Sequence, residues 1–293
     1  MTFLEPVARD DRIARLRGGE ADIGFMDVGA FVETVAAEPG FDARCVFVAG
    51  QRLPMSAIYV QGSTAGGRAI GRPGDLLEAT YGGESDSPFV LEHQALLRRL
   101  GGLDPRLHVE IPYDDLFGAL GAGEIDIAPD YAGIGTSYAR ALRPGERIGV
   151  LPYRDCGVTA YGTGFMASGN SLRGRRDALK AFLAVVADAY VDMRADPEQT
   201  IDDATRLLPG LDREYALAEW REEEEHVIFG YGPLGSSEAS LWAETAAWRG
   251  AVSGLPPVSD PVALFEDIGL PAGGYPATGG AAISASGRTW KDA

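Results

Sequence analysis

The sequence is poor in the residues that several classes of site require. Its two cysteines, Cys45 and Cys156, lie far apart, so neither a disulfide framework nor a paired-cysteine zinc site is expected. Its three histidines, His93, His108 and His226, are scattered without metal-ligand spacing, and no metal site is predicted. The strings G-x-S-x-G, H-E-x-x-H and C-x-x-C are absent, which removes three catalytic signatures.

Positive charge is also scarce. The 293 residues include 26 Lys and Arg against 43 Asp and Glu, a net charge of −17, which argues against general affinity for nucleic acid or anionic membranes. No apolar run reaches the roughly 18 residues of a transmembrane helix, and the first residues do not form a secretory leader. With 45% hydrophobic residues, the chain is expected to form one large or two ordinary globular domains.

One phrase occurs twice in the chain. Residues 16–23 and 120–127 both read L-x-x-G-E-x-D-I, after apolar residues at helical spacing and before an apolar, strand-like run. Glycine tolerates the left-handed conformation that ends helices, so Gly18/Gly19 and Gly121/Gly123 are predicted helix stops, followed by solvated acidic turns. The repeat therefore predicts two α/β lobes built alike.

Strand-like and helix-like segments alternate along the first part of the chain. The predicted strands are 45–49, 56–60, 108–111, 148–151 and 158–166. The predicted helices are 28–37, the segment from Pro88 (capped by Ser87) to Gly101, the segment capped by Asp114, 178–194, one opened by Asp196-Pro197, 212–226, 238–252 and 261–268. This alternation is typical of a mostly parallel α/β sheet.

Several stretches resemble the ABC-transporter solute-binding proteins of the sulfonate/nitrate/thiamine-precursor type, the NMT1/THI5-like family. They are G-G-E-A-D-I-G-F at 18–25, Q-R-L-P-M-S-A-I-Y-V at 51–60, R-P-G-D-L at 72–76, L-G-A-G-E-I-D-I-A at 120–128, Y-G-T-G-F-M-A-S at 161–168 and R-A-D-P at 194–197. They occur in the family's order over roughly residues 1–270.

The resemblance implies a periplasmic-binding-protein type II fold, with two α/β lobes that close by hinge motion on a ligand in the cleft between them. The first lobe is expected to comprise residues 1–62 plus 163–270, the second 63–162, and 271–293 a flexible tail. The implied function is to bind a small polar or heterocyclic molecule and deliver it to an ABC permease. The protein is expected to be a monomer without a cofactor and without catalytic residues.

Ligands of open α/β sheets bind beyond the carboxyl ends of the strands. The resemblance places these ends at a set of residues that we predict to contact the ligand: Met26, Asp27, Gln51, Arg52, Gly83, Glu84, Ser85, Asp130, Tyr131, Tyr161 and Thr163.

The ligand's charge is left open by these residues. Arg52 suits a carboxylate, sulfonate or phosphate, but a structural role in the crossing segment explains it equally. The loop 82–87 suits an anion through its backbone N–H groups, or is an ordinary helix cap. Asp27, Glu84 and Asp130 together suggest an amine or protonated heterocycle, although each also fits a turn or cap. Tyrosines at 81, 131 and 161 suit stacking on a planar ligand or simple packing.

Two further patterns are interpreted as non-functional. Residues 162–167 match G-x-G-x-x-A loosely, but Gly169-Asn170 is expected to interrupt the helix that a dinucleotide site needs, so no nucleotide is predicted. The acidic run 222–225 is interpreted as a solvated helix face.

The first residues depart from the family pattern. Met1-Thr2-Phe3-Leu4-Glu5 aligns with the family's second strand, so we expect a missing amino-terminal piece, or alternatively a reduced cytoplasmic relative. The first case implies an extracytoplasmic, lipid-anchored or periplasmic protein, and the second a cytoplasmic one. Rival functions are an enzyme on the same fold, such as a pyrimidine synthase, dehydratase or decarboxylase, and a cytoplasmic ligand sensor.

Overall fold

The computed structural model describes residues 2, 4, 9–65, 68–228 and 232–270. Its helices are α1 (Arg9–Gly18), α2 (Val28–Ala37), α3 (Pro88–Leu100), α4 (Leu116–Ala122), α5 (Gly135–Arg140), α6 (Gly169–Gly174), α7 (Arg176–Ala195), α8 (Pro197–Leu207), α9 (Arg213–Glu223) and α10 (Ala239–Ser253). Its strands are β1 (Ile23–Asp27), β2 (Arg44–Val48), β3 (Met55–Val60), β4 (Thr64–Ala65), β5 (Arg68–Ala69), β6 (Tyr81–Gly83), β7 (His108–Glu110), β8 (Ala128–Tyr131), β9 (Ile148–Pro152) and β10 (Thr163–Ala167).

The chain divides into two compact units. The first contains the residues up to Leu53, Thr159–Thr200 and the described residues from Val227 onward, and the second contains Pro54–Val158 and Ile201–His226. Both units are discontinuous in sequence. The second unit also contains α9, which lies outside the segment 63–162 that the resemblance suggested. The reason is that α9 packs on the turn that follows β8.

The sheet of the first unit has the order β1-β10-β2, and β10 is antiparallel to both neighbours. The outer strands β1 and β2 therefore run in the same direction, as expected for strands joined through a helix. One face of this sheet packs on α2 and α10 in a core that includes Phe31, Cys45, Met166 and Trp242. A salt bridge between Arg249 and Glu33 joins α10 to α2 at 2.5 Å, with side chains 7% and 12% exposed.

The sheet of the second unit is built around β3, which is antiparallel to β8 and β9. Strands β6 and β7 are parallel, and an isolated parallel bridge joins Tyr81 of β6 to Ile127 beside β8. Four strands thus run one way and β3 the other, which agrees with a mostly parallel sheet. The core under this sheet contains Ile58, Leu116, Leu120 and Tyr138.

The repeated phrase forms the same local structure in both units. Gly19 and Gly123 adopt φ of +74° and +78° at the ends of α1 and α4, which confirms the predicted helix stops. The prediction that solvated acidic turns follow these stops was only partly right. Asp22 accepts a hydrogen bond from Ser171 at 2.7 Å, and Asp126 accepts from the hydroxyl of Thr80 at 2.7 Å, so each aspartate joins the repeat to a neighbouring segment.

Several local predictions are confirmed and several are wrong. Ser87 caps α3 through a bond to the N–H of Val90, and Gly101 ends it at φ +118°. The predicted cap Asp114 instead lies in a 3₁₀ turn before α4, and 261–268 contains only the 3₁₀ turn Val262–Leu264. The predicted strand 158–166 is shortened to β10.

Gly169-Asn170 was wrongly predicted to interrupt a helix. Ser168 accepts a hydrogen bond from the N–H of Ser171, and this cap starts α6 at Gly169. The G-x-G-x-x-A string lies before and within β10, and not in the turn between β10 and α6 where a dinucleotide fingerprint belongs. The prediction for 271–293 lies outside the described residues. None of the described helices combines the length and apolar character needed to cross a membrane.

Candidate functional site

In the first unit, predicted site residues meet where three strands end or begin. Asp27 at the end of β1 pairs in register with Thr163 at the start of β10. The N–H of Gly50, just after β2, donates to the carbonyl of Thr163 at 2.9 Å, and the N–H of Val28 donates to Gly162 at 2.8 Å. One edge of this sheet therefore carries Asp27, Thr163 and the loop with Gln51 and Arg52.

Several of these side chains already have structural partners. Asp27 caps α2 by accepting from the N–H of Ala30 at 2.7 Å. The buried Gln51 amide donates to the carbonyls of Val48 and Ser236 at 3.2 and 3.1 Å, and the buried Tyr161 hydroxyl accepts from the N–H of Glu238. Met26 belongs to the hydrophobic core. Among the predicted contacts of this unit, only Arg52, Asp27 and Thr163 keep partly exposed side chains.

In the second unit, the loop after β6 is held by backbone geometry and one carboxylate. Gly83 has a φ of +142°, and a Cβ there would lie 2.5 Å from Cγ2 of Val90, so only glycine fits. Glu110 accepts hydrogen bonds from both the N–H and the hydroxyl of Ser85. The side chain of Glu84 is exposed. The loop therefore presents Glu84 to solvent, while Ser85 is occupied by Glu110.

Asp130 is the most deeply buried predicted site residue of the second unit. It is 0% exposed, and its Oδ2 accepts from the hydroxyls of Tyr138 at 3.0 Å and Tyr113 at 3.2 Å, while Oδ1 accepts from the N–H of Tyr131. Burial raises the pKa of Asp130 and outweighs these three hydrogen bonds, which lower it. Asp130 thus fixes two tyrosines and the end of β8.

Aromatic side chains surround this strand end. Tyr131 is 40% exposed and meets Phe89 edge to face, with ring centroids 5.1 Å apart. Phe89 in turn stacks on Tyr113 at 5.9 Å. A narrow crevice opens among these elements, lined by Gly82, Gly83, Glu84, Ser87, Phe89, Val90, Tyr113, Leu116 and Pro129. We call the rings of Phe89, Tyr113 and Tyr131 the aromatic shelf.

Two carboxylates on α9 approach the turn that follows Tyr131. A Cβ at Gly133 would lie 3.1 Å from Cγ of Glu219 and 3.5 Å from Cγ of Glu223. Burial raises the pKa of Glu219, and burial together with the charge of Glu219 raises the pKa of Glu223 to about 7. Electrostatic coupling also links Tyr215 of α9 to both glutamates and to Asp130.

Sequence reasoning missed most of this group. Glu223 lies in the run that was interpreted as a solvated helix face, and that interpretation is wrong for Glu223 because α9 packs on the turn after β8. The available signal was the spacing of Glu219 and Glu223, which places both on one face of a helix. Phe89 and Tyr113 had no local signal, since only the fold brings α3 and the turn before α4 to the end of β8.

The described residues contain no group of three or more His, Cys, Asp and Glu side chains placed to hold a metal ion. The Nδ1 atom of His93 lies 2.8 Å from the hydroxyl of Tyr153, and burial lowers the pKa of His93 to about 3. That pair lies in the interior of the second unit, away from solvent.

Comparison with known proteins places the chain in a family. A model of the NMT1/THI5-like family matches residues 1–200, more than half of the sequence. The chain belongs to the NMT1/THI5-like family. No match was found among curated proteins.

Solved structures share the fold of this NMT1/THI5-like protein. It is similar to the periplasmic aliphatic sulphonate-binding protein SsuA of Escherichia coli, with 16% identity, a TM-score of 0.64, and coverage of 89% of this chain and 80% of that one. It is also similar to a zinc-bound ligand-binding component of an ABC-type import system from Staphylococcus aureus. The identity is 14% and the TM-score 0.60, with coverage of 88% of this chain and 82% of that one. A third similar structure is the alkanesulfonate-binding protein SsuA of Xanthomonas axonopodis pv. citri, bound to MOPS. The identity is 18% and the TM-score 0.56, with coverage of 86% of this chain and 82% of that one. The predicted periplasmic-binding-protein fold is confirmed.

Proposed function

We propose that this chain is the substrate-binding component of an ABC-type importer and binds a small organic solute. The observation that carries the proposal is the family match together with a solvent-facing site in the second unit. There, the exposed Tyr131 ring follows Asp130, which two tyrosine hydroxyls and a backbone N–H hold at the end of β8. Exposed aromatic rings beside a few fixed polar groups are typical of the walls of small-molecule sites.

The structural relatives support the rest of this assignment. One is described as the ligand-binding component of an ABC-type import system and two as periplasmic sulfonate-binding proteins, one of them of a putative sulfonate ABC transporter. By that likeness the partner is an ABC permease and the site of action is extracytoplasmic. The predicted contacts Asp27, Arg52 and Thr163 of the first unit, and Gly83, Glu84, Ser85 and Tyr131 of the second, belong to the same proposal.

Two titratable groups of the second unit, His93 and Asp130, are poorly suited to catalysis. A general base needs access to substrate and a pKa near the working pH. His93 has neither, because it is fully buried and its pKa is lowered to about 3. Asp130 is fully buried under two tyrosine hydroxyls. Both groups are therefore better suited to holding the fold of the site than to proton transfer.

Thermal unfolding of the purified chain with a panel of small molecules tests the proposal. The panel contains alkylsulfonates, nitrate, thiamine precursors, purines and polyamines. A ligand present at 100 times its dissociation constant adds about 2.7 kcal/mol of stability. The stabilising compound should be recovered unchanged by NMR after long incubation. Conversion of that compound, or stabilisation by no member of the panel, would count against a binding component.

The first-unit contacts are tested separately. Arg52→Ala removes the guanidinium, and Asp27→Ser removes the charge while keeping a hydroxyl to cap α2. Weaker ligand binding at unchanged thermal stability is expected for each. Unchanged affinity in both variants would remove these residues from the site.

A further inference from the structure

Three segments of the first unit meet at Gly50, a buried residue that follows β2. The N–H of Gly50 donates to the carbonyl of Thr163 at 2.9 Å, and its carbonyl accepts from the N–H of Gly162 at 2.9 Å. The carbonyl of Gly162 in turn accepts from the N–H of Val28 at 2.8 Å. One set of backbone hydrogen bonds, which we call the Gly50 junction, therefore connects the loop after β2, the start of β10 and the start of α2.

The Gly50 junction adjoins each of the partly exposed contacts that are predicted in the first unit. Thr163 is bonded directly to Gly50, and Asp27 at the end of β1 pairs in register with Thr163. Arg52 lies two residues after Gly50, and its N–H donates to the carbonyl of Val227 at 3.1 Å. The backbone around Gly50 therefore sets the relative positions of Asp27, Arg52 and Thr163.

The close approach of these segments requires glycine at position 50. A Cβ on Gly50 would lie 2.7 Å from both the backbone nitrogen and the Oγ1 atom of Thr163, and 3.3 Å from Cγ1 of Val227. Nonbonded carbon atoms pack best at about 3.5 to 4.0 Å, so the backbone of Thr163 would have to move by roughly half an ångström. The φ of Gly50 is not positive, so the contact and not the backbone conformation excludes a side chain. Any other residue at position 50 would change the distance between Thr163 and Arg52.

The loop from Gly50 to Arg52 is also held from a second direction. The buried amide of Gln51 donates to the carbonyls of Val48 and Ser236 at 3.2 and 3.1 Å. Each of the three loop residues thus makes a hydrogen bond within the first unit. A binding loop that is already ordered loses less conformational entropy when a solute binds. Gln51 therefore supports the loop from which the Arg52 side chain extends.

We propose that Gly50 is a positioning residue of the solute site. It acts through Asp27, Arg52 and Thr163, because its lack of a side chain lets the segments that carry them bond through their backbones. This inference rests on the proposed function. Recognition sites need their groups placed to within about 0.5 Å, so a methyl group at position 50 should impair binding even where the sheet still forms.

Three alanine variants separate the position of the contacts from the stability of the fold. Gly50→Ala places a methyl group in the junction. Gly121→Ala, on α4 in the second unit, places one 2.6 Å from the carbonyl oxygen of Ala141, and Gly40→Ala places one in open space. Urea unfolding should show a loss of stability for Gly50→Ala and Gly121→Ala, since each methyl group meets backbone atoms, and almost none for Gly40→Ala.

Amide hydrogen exchange followed by NMR tests the junction itself. In Gly50→Ala, the N–H groups of Val28 and Gly162 should exchange at least about tenfold faster relative to that of Leu183, which is fully buried in the middle of α7. Gly121→Ala should leave this ratio unchanged. Equal acceleration of all three amides in Gly50→Ala, or no acceleration at Val28, would overturn the proposal, because the loss would then be one of global stability alone.

Thermal unfolding with alkylsulfonates, nitrate, thiamine precursors, purines and polyamines tests the effect on binding. The compound that stabilises the natural protein should bind Gly50→Ala at least about tenfold more weakly, and should bind Gly121→Ala and Gly40→Ala with unchanged affinity. Equal weakening in Gly50→Ala and Gly121→Ala would refute a positioning role. Failure of every compound to stabilise the natural protein would count against the proposed function, and the exchange rates would still confirm or refute the junction.

Discussion

Replacement of Glu223 by glutamine should stabilise the protein at alkaline pH and have no effect in acid. Folding raises the pKa of this carboxyl from its ordinary value of 4.5 to about 7, so the folded state favours the protonated form. The side chain is therefore tolerated without cost below about pH 4.5. Its cost grows between about pH 4.5 and pH 7, where only the unfolded state has lost the proton, and is constant above that. Glutamine imitates the protonated form at every pH.

The magnitude follows from the difference between the two pKa values. A tenfold change in proton affinity corresponds to about 1.36 kcal/mol, so the pKa difference of Glu223 sets a ceiling of about 3 kcal/mol. Because the side chain keeps some contact with water, we expect a gain of about 1 to 3 kcal/mol for Glu223→Gln at pH 8. The variant should match the natural protein near pH 4.5.

Urea unfolding at pH 4.5 and pH 8 measures this difference, and carbon NMR of labelled glutamate carboxyls measures the pKa itself. Glu214→Gln serves as the control, since its carboxyl is exposed on the same helix. The pKa of Glu223 is expected to fall in a Glu219→Gln variant, because one neighbouring negative charge is lost. A gain that is the same at both pH values, or a Glu223 carboxyl that titrates near 4.5, would refute the reasoning.

Three further variants probe the supports of the fold. Gly83→Ala should destabilise the protein by about 1 to 3 kcal/mol, because φ is +142° and the new Cβ would lie 2.5 Å from the side chain of Val90. The control Gly102→Ala, where the new Cβ enters open space, should have almost no effect in the same unfolding assay. Tyr138→Phe removes a hydroxyl from the buried carboxylate of Asp130 and should cost about 1.5 to 3 kcal/mol; no loss would mean that this bond is not made in solution. Arg249→Met removes the guanidinium that pairs with the buried carboxylate of Glu33 and should cost about 3 to 5 kcal/mol, with part of the loss recovered when Glu33 is also replaced by glutamine.

Local structure was largely predictable from the sequence. The cap at Ser87, the proline that follows it and the glycine at 101 fix α3 through interactions within a few residues. The same holds for the glycine stops of the repeat. Gly169-Asn170 was misjudged because a serine cap two residues before Asn170 outweighs the low helix propensity of these two residues.

The candidate site was predictable only in part. Asp130 and Tyr131 follow a predicted strand, and strand ends are where ligands of α/β sheets bind. Whether the side chain of Asp130 faces solvent or the interior depends on the tyrosines at 113 and 138, which only the tertiary fold brings to it. Glu223 shows the same limit, since a run of glutamates is solvated on an isolated helix and loses water only when the helix packs on another segment.

The discontinuity of the second unit has a consequence for its biosynthesis. The strands from β3 to β9 leave the ribosome within Pro54–Val158, whereas α9 arrives in the separate stretch Ile201–His226. A chain that grows from its amino terminus can therefore assemble the sheet and the aromatic shelf well before Glu219 and Glu223 exist. A nascent chain halted between residues 158 and 200 would carry the rings without α9. The packing of α9 on the turn after β8 would then be among the last contacts that this unit acquires during its synthesis.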